Sequence, residues 1–460
     1  MVKRVLLSLA ILTMLLAGCG PAPTPEVVEK TVEVEVPVEQ TVEVEVPVEQ
    51  TVEVTKIVEQ TAVPEEKVEV TLAYGRFINL SFGPGPAPYE AIRNAVAEKY
   101  PNIEVQLNIT PDDMGSWHDS LAIWISAEDP TIDIYGMDTP WVKEFGSAGW
   151  AVPLNGKIPE FENYDDAGLD VFSYEGDRLG VPVWGSIHGL FYRSDLLEEY
   201  GFEPPQTFDD LADAAEAIMA DNPDMSGYLW PGGKNETLVM IWAALLHGFG
   251  GQYFEDDGSC AFNSEEGIAA VQFMKDAIDS GLSPREVTAW DQEAARTRFA
   301  EGDAVFLQHN VSIVTWLDDA ERSGIPGQWG LIGVPAQPGG RHSGVTGGFA
   351  FSINPYTDNL DAALKVMNVI ASEEVQKAFA IAWGPVQHYK GLYEDSEVLE
   401  ANPDVDKIAP VLETALSRPP SEDYAQVSAI IQEEIHSAIT GIKPVETALN
   451  DACSRVDALD

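Results

Sequence analysis

Strand-like and helix-like segments alternate from residue 68 to near the end of the chain, and this alternation constrains the fold more than any other feature. The run from Val68 to Ala73 has the pattern of a buried strand. Tyr89, Ile92 and Val96 are spaced as one face of a helix, and alternating apolar residues over 103–109 predict a half-buried strand. Strand, helix and strand in this order predict a mostly parallel sheet in an α/β fold.

The limits of later helices are also indicated by the sequence. Thr207-Phe-Asp-Asp210 predicts a capping box, Ser264 predicts an N-cap, and Gly281 predicts the end of the helix that Ser264 begins. Apolar spacing predicts further helices at residues 361–370, 374–381 and 424–439. Because the roughly 390 residues from position 68 onward exceed one ordinary hydrophobic core, two lobes are expected.

The first residues have the pattern of a secretory signal peptide, predicted over residues 1–18. Lys3 and Arg4 precede a short apolar run over 5–16, which is too short to span a bilayer comfortably. The run ends in Leu16-Ala17-Gly18-Cys19, which resembles the lipobox of bacterial lipoproteins, where the cysteine thiol receives a diacylglycerol. Cys19 is therefore predicted to be lipidated. The alternative is an ordinary cysteine that follows an uncleaved anchor.

An acidic repeat follows Cys19. Residues 31–40 and 41–50 are both TVEVEVPVEQ, and residues 51–60 are a degenerate third copy. The Val/Glu alternation is typical of a strand, but 12 acidic and 3 basic residues over 22–67, with recurring proline, oppose a packed sheet. We interpret 19–67 as an extended tether. A small stack of β-hairpins or a coiled coil is the alternative.

Charge and cysteine content exclude several classes of function. The chain has 76 acidic and 26 basic residues, a formal net charge of -50, so it repels nucleic acid phosphates and no nucleic acid partner is expected. After Cys19 only Cys260 and Cys453 remain, with no spacing suited to zinc. The sequence leaves open whether these two form a disulfide. No metal and no cofactor are predicted.

Six segments after residue 68 together match a known family in order and spacing. They are Asp133-Ile-Tyr-Gly-Met-Asp138-Thr-Pro-Trp141, Gly180-Val-Pro-Val-Trp184, Gly189-Leu-Phe-Tyr-Arg193-Ser-Asp195, Phe299-Ala-Glu-Gly302, Gly347-Gly348-Phe349 and Pro444-Val445-Glu446-Thr447-Ala448-Leu449. In this arrangement the chain resembles the family 1 extracellular solute-binding proteins, the maltose/trehalose-type components of sugar ABC importers. The resemblance covers nearly everything after residue 68.

The resemblance implies the two-lobe, type II fold of periplasmic binding proteins, with a ligand cleft between α/β lobes joined by hinge segments. Lobe 1 would hold residues 68–183 and 337–383, and lobe 2 residues 184–336 and 384–460, with crossings near 181–186, 334–340 and 383–387. It also implies capture of a mono- or oligosaccharide by lobe closure. The implied partners are an ABC permease and its ATPase. The protein would be a monomer, held on the extracytoplasmic side of the membrane by the lipid on Cys19.

Aromatic residues are the first candidates for ligand contact, because a sugar presents apolar C–H faces that stack on rings. Trp184, Trp230 and Trp383 lie beside glycine or proline, at loop-like positions, and the resemblance favours Trp184 most. Gly347-Gly348-Phe349 resembles a Gly-Gly-aromatic turn of the family, whose backbone approaches the ligand and whose ring stacks on it. The alternatives are tryptophans packed between elements and a glycine-rich turn with a core phenylalanine.

Polar candidates follow from the same resemblance. Asp138 matches a carboxylate that accepts hydrogen bonds from sugar hydroxyls, although Asp138 before Thr-Pro is also typical of a helix N-cap. Ser186 stands where a related disaccharide binder has a carboxylate, and Gln387 stands where Pro-x-Arg is common. These two departures leave the identity of the sugar open. Asn310 is the weaker candidate from Gln308-His-Asn310, and His309 is expected to be structural.

No catalytic motif is predicted. Gly185-Ser-Ile-His-Gly189 is not a nucleophile elbow, and Ser186 and His188 are not expected to face each other on a strand. The chain is therefore predicted not to be an enzyme. The alternatives are a binder of polyamines or other small polar solutes, an extracytoplasmic glycosidase acting through two carboxylates, and an adhesive or scaffolding lipoprotein.

Overall fold

The computed structural model describes residues 66–74, 87–111, 113–384 and 386–459. The predicted signal peptide, Cys19 and all but the last two residues of the tether lie outside the described residues. The described residues belong to a unit that begins at residue 63.

The strands, numbered in chain order, are β1 (Val68–Ala73), β2 (Ile103–Asn108), β3 (Ile134–Asp138), β4 (Ser173–Tyr174), β5 (Asp177–Arg178), β6 (Val181–Arg193), β7 (Ser226–Leu229), β8 (Ala304–Asn310), β9 (Trp329–Ile332), β10 (Gly344–Ile353) and β11 (Ala415–Leu416). The two longest, β6 and β10, are adjacent and antiparallel. They form the middle of the main sheet.

The helices are α1 (Ala87–Lys99), α2 (Met114–Ser126), α3 (Val142–Ser147), α4 (Asp166–Val171), α5 (Ser194–Tyr200), α6 (Phe208–Asp221), α7 (Glu236–Gly248), α8 (Glu265–Ser280), α9 (Gln292–Ala300), α10 (Val314–Leu317), α11 (Leu360–Ile370), α12 (Glu373–Trp383), α13 (Ser396–Ala401), α14 (Val405–Leu412), α15 (Tyr424–Ile439) and α16 (Val445–Val456). Short 3-10 helices, among them Thr139–Trp141 and Val311–Ile313, follow the ends of β3 and β8.

The main sheet of the described residues has the strand order β2-β1-β3-β10-β6-β8-β7, with β11 beside β10 and β9 beside β6. Strands β1, β2 and β3 are mutually parallel where they pair, as the first strand–helix–strand pattern predicts. Strands β10 and β6 run antiparallel to their neighbours β3 and β8. The sheet is therefore parallel at its two ends and antiparallel in the middle.

Local sequence signals position the elements as expected. Strand β1 covers the predicted residues, and Ile92 and Val96 are buried on α1. Thr207 and Asp210 form the predicted capping box at the start of α6. Ser264 caps α8, which ends at Gly281 in the left-handed conformation that glycine adopts without a steric penalty. The helices predicted at 361–370, 374–381 and 424–439 are α11, α12 and α15.

Buried apolar residues of the described chain form separate clusters along the sheet. The first core contains residues up to Trp184 and again from Phe349 to Trp383. The second core contains residues from Leu190 to Val345 and again from Val427 to Val456, and a third cluster lies beside it around Phe191 and Leu307. Strands β6 and β10 pass from one core to the other.

These clusters differ in two places from the predicted lobe limits, which stay a prediction. The chain returns to the first core within β10, between Val345 and Phe349, rather than at 334–340. Tyr389, Leu392 and Val398 also pack in the first core, although they follow the third predicted crossing. The first difference arises because β10 pairs with both β3 and β6 and carries the chain from the second core to the first.

No helix in the described part of the chain is long and apolar enough to cross a membrane.

Candidate functional site

A cavity of about 310 Å³ lies over the middle of β6, where this strand passes between the two cores. Side chains alternate between the two faces of a strand, so every second residue of β6 points the same way. Trp184, Ser186 and His188 line the cavity, whereas Val183 and Ile187 pack in the first core and the third cluster. Ser186 and His188 are two residues apart and therefore share this face, but no hydrogen bond joins them, because both ring nitrogens of His188 lack a partner among the described residues.

Strand register brings the other lining residues to the same place. Asp138 at the end of β3 lies opposite Phe349 of β10, and Phe349 lies opposite Trp184 of β6. All three line the cavity. The register of the central strands thus joins three residues that are far apart in the sequence.

Two aromatic rings form one wall. The rings of Trp184 and Phe349 stack with centroids 5.5 Å apart and planes 7° apart, and Phe349 also stacks on Trp117. Trp184 Nε1 donates a hydrogen bond of 2.9 Å to the carbonyl oxygen of Trp383. Trp184 is 7% exposed and Phe349 4% exposed, so both rings are held firmly and present only a small part of their surface to the cavity.

Gly347 and Gly348 line the cavity but lie inside β10 rather than in the expected turn. They face Ser186 and Gly185 across the β6–β10 pair. A Cβ atom on Gly348 would lie 2.7 Å from the carbonyl oxygen of Trp184, which is closer than any Cβ contact allows. The glycines therefore permit two backbones to approach closely beneath the cavity.

A buried ion cluster closes the cavity on another side. Arg418, 6% exposed, donates from Nη1 and Nη2 to the two carboxylate oxygens of Asp138 at 3.0 and 2.5 Å, and from Nη1 to Glu236 Oε1 at 3.0 Å. Tyr424 and Ser428 donate to the carboxylate of Glu236. Burial lowers the pKa of Arg418, but the charges of Asp138 and Glu236 outweigh it and raise this pKa well above its ordinary value.

The sequence did not indicate Arg418 or Glu236 as site residues. Arg418 precedes two prolines in an irregular segment, and Glu236 begins α7 as an ordinary first-turn acid. Asp138 has the N-cap role that its sequence context predicts, because it accepts a hydrogen bond of 2.8 Å from Thr139 N. Its carboxylate also binds Arg418, so a ligand would meet an ion pair rather than a free carboxylate.

Histidine and asparagine form the part of the cavity nearest β8. His188 lies opposite Asn310, whose Oδ1 accepts a hydrogen bond from Ser312 N at 2.8 Å. The ring nitrogens of His309 lie 3.1 and 3.0 Å from the carbonyl oxygens of Asn310 and Gln292, and burial lowers the pKa of His309 to about 4. His309 is thus held by the backbone, as expected of a structural histidine.

The remaining charged residues of the lining are Arg296, Glu293, Asp113 and Asp291. Arg296 pairs with Glu293, and its guanidinium lies 3.7 Å from the centre of the Trp316 ring. Burial lowers the pKa of Arg296. Asp113 and Asp291 are N-caps of α2 and α9, each accepting a backbone hydrogen bond at 2.9 Å. These charged groups therefore already take part in ion pairs or helix caps, although Nε of Arg296 has no hydrogen-bond partner among the described residues.

Three predicted ligand residues lie outside the cavity lining. Trp230 is fully buried in the second core, where its Nε1 donates to Ser283 Oγ at 3.1 Å. Trp383 packs between Phe379 and Tyr74. It contacts the cavity residue Trp184 through its carbonyl oxygen and through an edge-on ring contact with centroids 6.2 Å apart. Gln387 donates from Nε2 to the carbonyl oxygen of Gly384 at 2.8 Å. No group of three or more His, Cys, Asp or Glu among the described residues could hold a metal ion.

Comparisons of sequence find similar proteins. Residues 83–377 match the family model described as bacterial extracellular solute-binding protein. A probable ABC transporter-binding protein of Deinococcus radiodurans is 28% identical over 327 residues, which are 69% of this chain and 77% of that protein.

Solved structures are similar over most of the chain. Maltose-bound MalE3 of T. maritima superposes with a TM-score of 0.77 at 28% identity, covering 85% of this chain and 100% of that one. A solute-binding protein of Agrobacterium radiobacter in complex with ribitol has a TM-score of 0.76 at 19% identity, covering 86% and 100%. The predicted two-lobe α/β fold is confirmed.

Proposed function

Because this chain belongs to the family of bacterial extracellular solute-binding proteins, we propose that it captures a sugar for an ABC importer. The observation that carries the proposal is the row formed by Asp138, Phe349 and Trp184 along the cavity. Aromatic rings beside fixed hydrogen-bonding groups suit a molecule that has apolar faces and a hydroxyl-bearing edge. The similar MalE3 structure holds maltose, which supports the same class of ligand.

The proposed binding residues are those of the predicted set that line the cavity: Asp138, Trp184, Ser186, Asn310, Gly347, Gly348 and Phe349. Ligand would be enclosed when the proposed lobes rotate together about β6 and β10, the strands that join the cores. The enclosed form would then be recognised by a membrane permease with its ATPase, and the binding protein would act as a monomer.

A thermal-shift screen tests the proposal, because a ligand of the native state raises the melting temperature by mass action. Maltose, trehalose, ribitol, mannitol, spermidine and glycerol 3-phosphate are the probes. We expect stabilisation by at least one sugar or polyol. We also expect Trp184→Ala to weaken the binding of that probe by about 1–3 kcal/mol, because stacking and burial are lost. Trp124→Ala, which removes a half-buried indole from outside the cavity lining, is the matched control.

The outcomes of the screen separate the alternatives. Stabilisation by spermidine alone would favour a polyamine binder, and breakdown of a sugar in the same samples would favour a glycosidase. Stabilisation by none of the probes would overturn the proposed sugar capture. The lining contains more carboxylates than guanidiniums, and this excess of negative charge would attract a cation. However, each of these carboxylates already takes part in an ion pair or a helix cap; they are Asp113, Asp138, Glu236, Asp291 and Glu293.

We further propose that Cys19 carries a lipid and that residues 19–67 tether the binding unit to the membrane. The lipobox-like residues Leu16-Ala17-Gly18-Cys19 support this. Expressed in a bacterium, the wild-type chain should fractionate with membranes and enter the detergent phase of Triton X-114, whereas Cys19→Ala should not. Equal partitioning of the two proteins would overturn the lipid anchor without affecting the proposal of sugar binding.

A further inference from the structure

Three polar groups in the cavity wall have no hydrogen-bond partner among the residues that the structure describes. They are the imidazole of His188, at both ring nitrogens, and Nε of both Arg296 and Arg418. All three residues line the cavity, and the fully buried His188 is the one that lacks a partner at every polar atom of its side chain. Buried polar groups in native proteins are nearly always hydrogen-bonded, so unpaired groups in a binding cavity point to a bonding partner that arrives with the ligand.

The imidazole of His188 differs in this respect from the other histidine of the same wall. Both ring nitrogens of His309 lie within hydrogen-bonding distance of backbone carbonyl oxygens. The His188 ring is 6.4 Å from the His309 ring and nearly parallel to it, but it has no hydrogen bond that holds its orientation. It can therefore turn about its side-chain bonds toward the cavity without breaking a hydrogen bond.

The charge state of His188 decides what it can bind. Burial, together with the neighbouring His309 and the positive charge of Arg418, lowers the pKa of His188 well below its ordinary value. The ring is therefore neutral near pH 7, with one nitrogen as donor and the other as acceptor. A hydroxyl group both donates and accepts, so it can pair with either ring nitrogen, whereas an ammonium group only donates and cannot pair with the ring N–H.

We propose that His188 is a specificity-determining residue, which hydrogen-bonds a hydroxyl group of a neutral ligand at the base of the cavity. The inference rests on the proposed capture of a sugar and adds a contact to it. Ser186 and Trp184 precede His188 on the same face of β6, so one ligand can meet all three. The subsite selects hydroxyl-bearing solutes and disfavours a polyamine.

Isothermal titration of the full chain with maltose, trehalose, ribitol and spermidine tests the subsite. The wild-type protein, His188→Leu and His247→Leu are compared. His247 is the matched control, because it has a ring nitrogen that is buried and unpaired within the described residues but does not line the cavity. We expect His188→Leu to bind the preferred sugar about tenfold or more weakly. His247→Leu should bind as the wild type does.

Two results would overturn the inference in different ways. If the wild-type protein binds a sugar and His188→Leu binds it within about twofold, the subsite is wrong and sugar capture stands. If the wild-type protein binds only spermidine, or none of the probes, the proposed function fails and the subsite fails with it.

A second measurement observes the His188 ring in the wild-type protein, so it does not depend on how strongly the His188→Leu variant binds sugar. Nitrogen NMR of the wild-type protein, labelled on its histidine rings and assigned with the His188→Leu and His188→Asn variants, should show neutral His188 in the free protein. Its ring resonances should shift when the bound sugar is added. A His188 ring whose resonances stay unchanged at saturating sugar would overturn the contact, including in the case where His188→Leu does not fold.

Discussion

At the scale of single residues, Arg418 is the cation that compensates the carboxylate charges of Asp138 and Glu236 beside the cavity. It is the shared partner of Asp138 and Glu236, and the side chains of Arg418 and Asp138 are 4% and 3% exposed. Removing one member of a buried ion pair leaves the other charge without compensation, which is far more unfavourable than loss of a surface pair. Arg418 therefore contributes both to the stability of the fold and to the polarity of the cavity.

Arg418→Met should lower the free energy of unfolding by about 3–5 kcal/mol, because it leaves the buried carboxylate of Asp138 and the partly buried carboxylate of Glu236 without their cation. Urea unfolding followed by circular dichroism measures this loss. Arg322→Met is the matched control, since Arg322 is exposed, forms an ion pair with Asp319 and lies 5.8 Å from the centre of the Trp316 ring. A loss for Arg418→Met as small as that of the control would mean that solvent already reaches the carboxylates. Adding Asp138→Asn to Arg418→Met should recover part of the loss.

At the scale of secondary structure, the close pairing of β6 and β10 forms the base of the site. Gly348→Ala should disturb it, because the new Cβ atom meets the backbone carbonyl of Trp184, which cannot move without moving β6. We expect a loss of about 1–3 kcal/mol in the free energy of unfolding, as for other overpacked sites. Binding of the preferred sugar should also weaken.

Gly347→Ala is the control for this prediction. Its new Cβ atom would lie 3.0 Å from the hydroxyl of Ser186, whose side chain can rotate away, and at ordinary contact distances from side-chain atoms of Met240 and Arg418. Melting temperatures of both variants, with and without sugar, measure the difference. Equal losses of stability for Gly348→Ala and Gly347→Ala would show that the backbone of β6 is not the reason why position 348 requires glycine.

The disulfide between Cys260 and Cys453 joins the segment before α8 to α16 across a sequence separation of 193 residues. Replacing both cysteines by alanine should lower the free energy of unfolding by about 2–5 kcal/mol, mainly because the unfolded chain regains freedom. Urea unfolding with and without a reducing agent measures this. The reductant should destabilise the wild type and leave the double variant unchanged. A wild type that is insensitive to reduction would contradict the prediction.

At the scale of the whole molecule, the two cores are joined through β6 and β10, and the cavity lies between their buried clusters. A ligand that contacts residues from both sides binds the closed arrangement more tightly than the open one. This difference in affinity shifts the equilibrium toward the closed arrangement. Motion of the proposed lobes should therefore accompany binding.

Spin labels at the exposed residues Glu98 of α1 and Glu266 of α8 should move closer by several ångström when the preferred sugar binds. Double electron–electron resonance measures the distance. A second pair, at Glu98 and Asp170, lies within the first proposed lobe and should keep its distance. An unchanged distance for the first pair at saturating sugar would show that capture does not require closure.

Local patterns in the sequence predicted several of the helices and strands and, through the order of the first ones, the class of fold. The capping box at Thr207, the N-cap at Ser264 and the end of α8 at Gly281 all lie where the sequence predicted them. Such features depend on residues only a few positions apart, because helix caps and side-chain periodicity are local. Asp138 was also found as an N-cap for this reason.

Only the tertiary structure decided which candidates share the cavity. Trp184 and Trp230 have similar sequence surroundings, yet one lines the cavity and the other lies in the second core. Arg418 joins Asp138 from 280 residues away, and Cys260 finds Cys453 across 193. These outcomes depend on strand register and on long-range packing, which local sequence patterns do not encode. The period of two along a strand indicates which residues share a face, but it does not indicate which other strands pair with that strand.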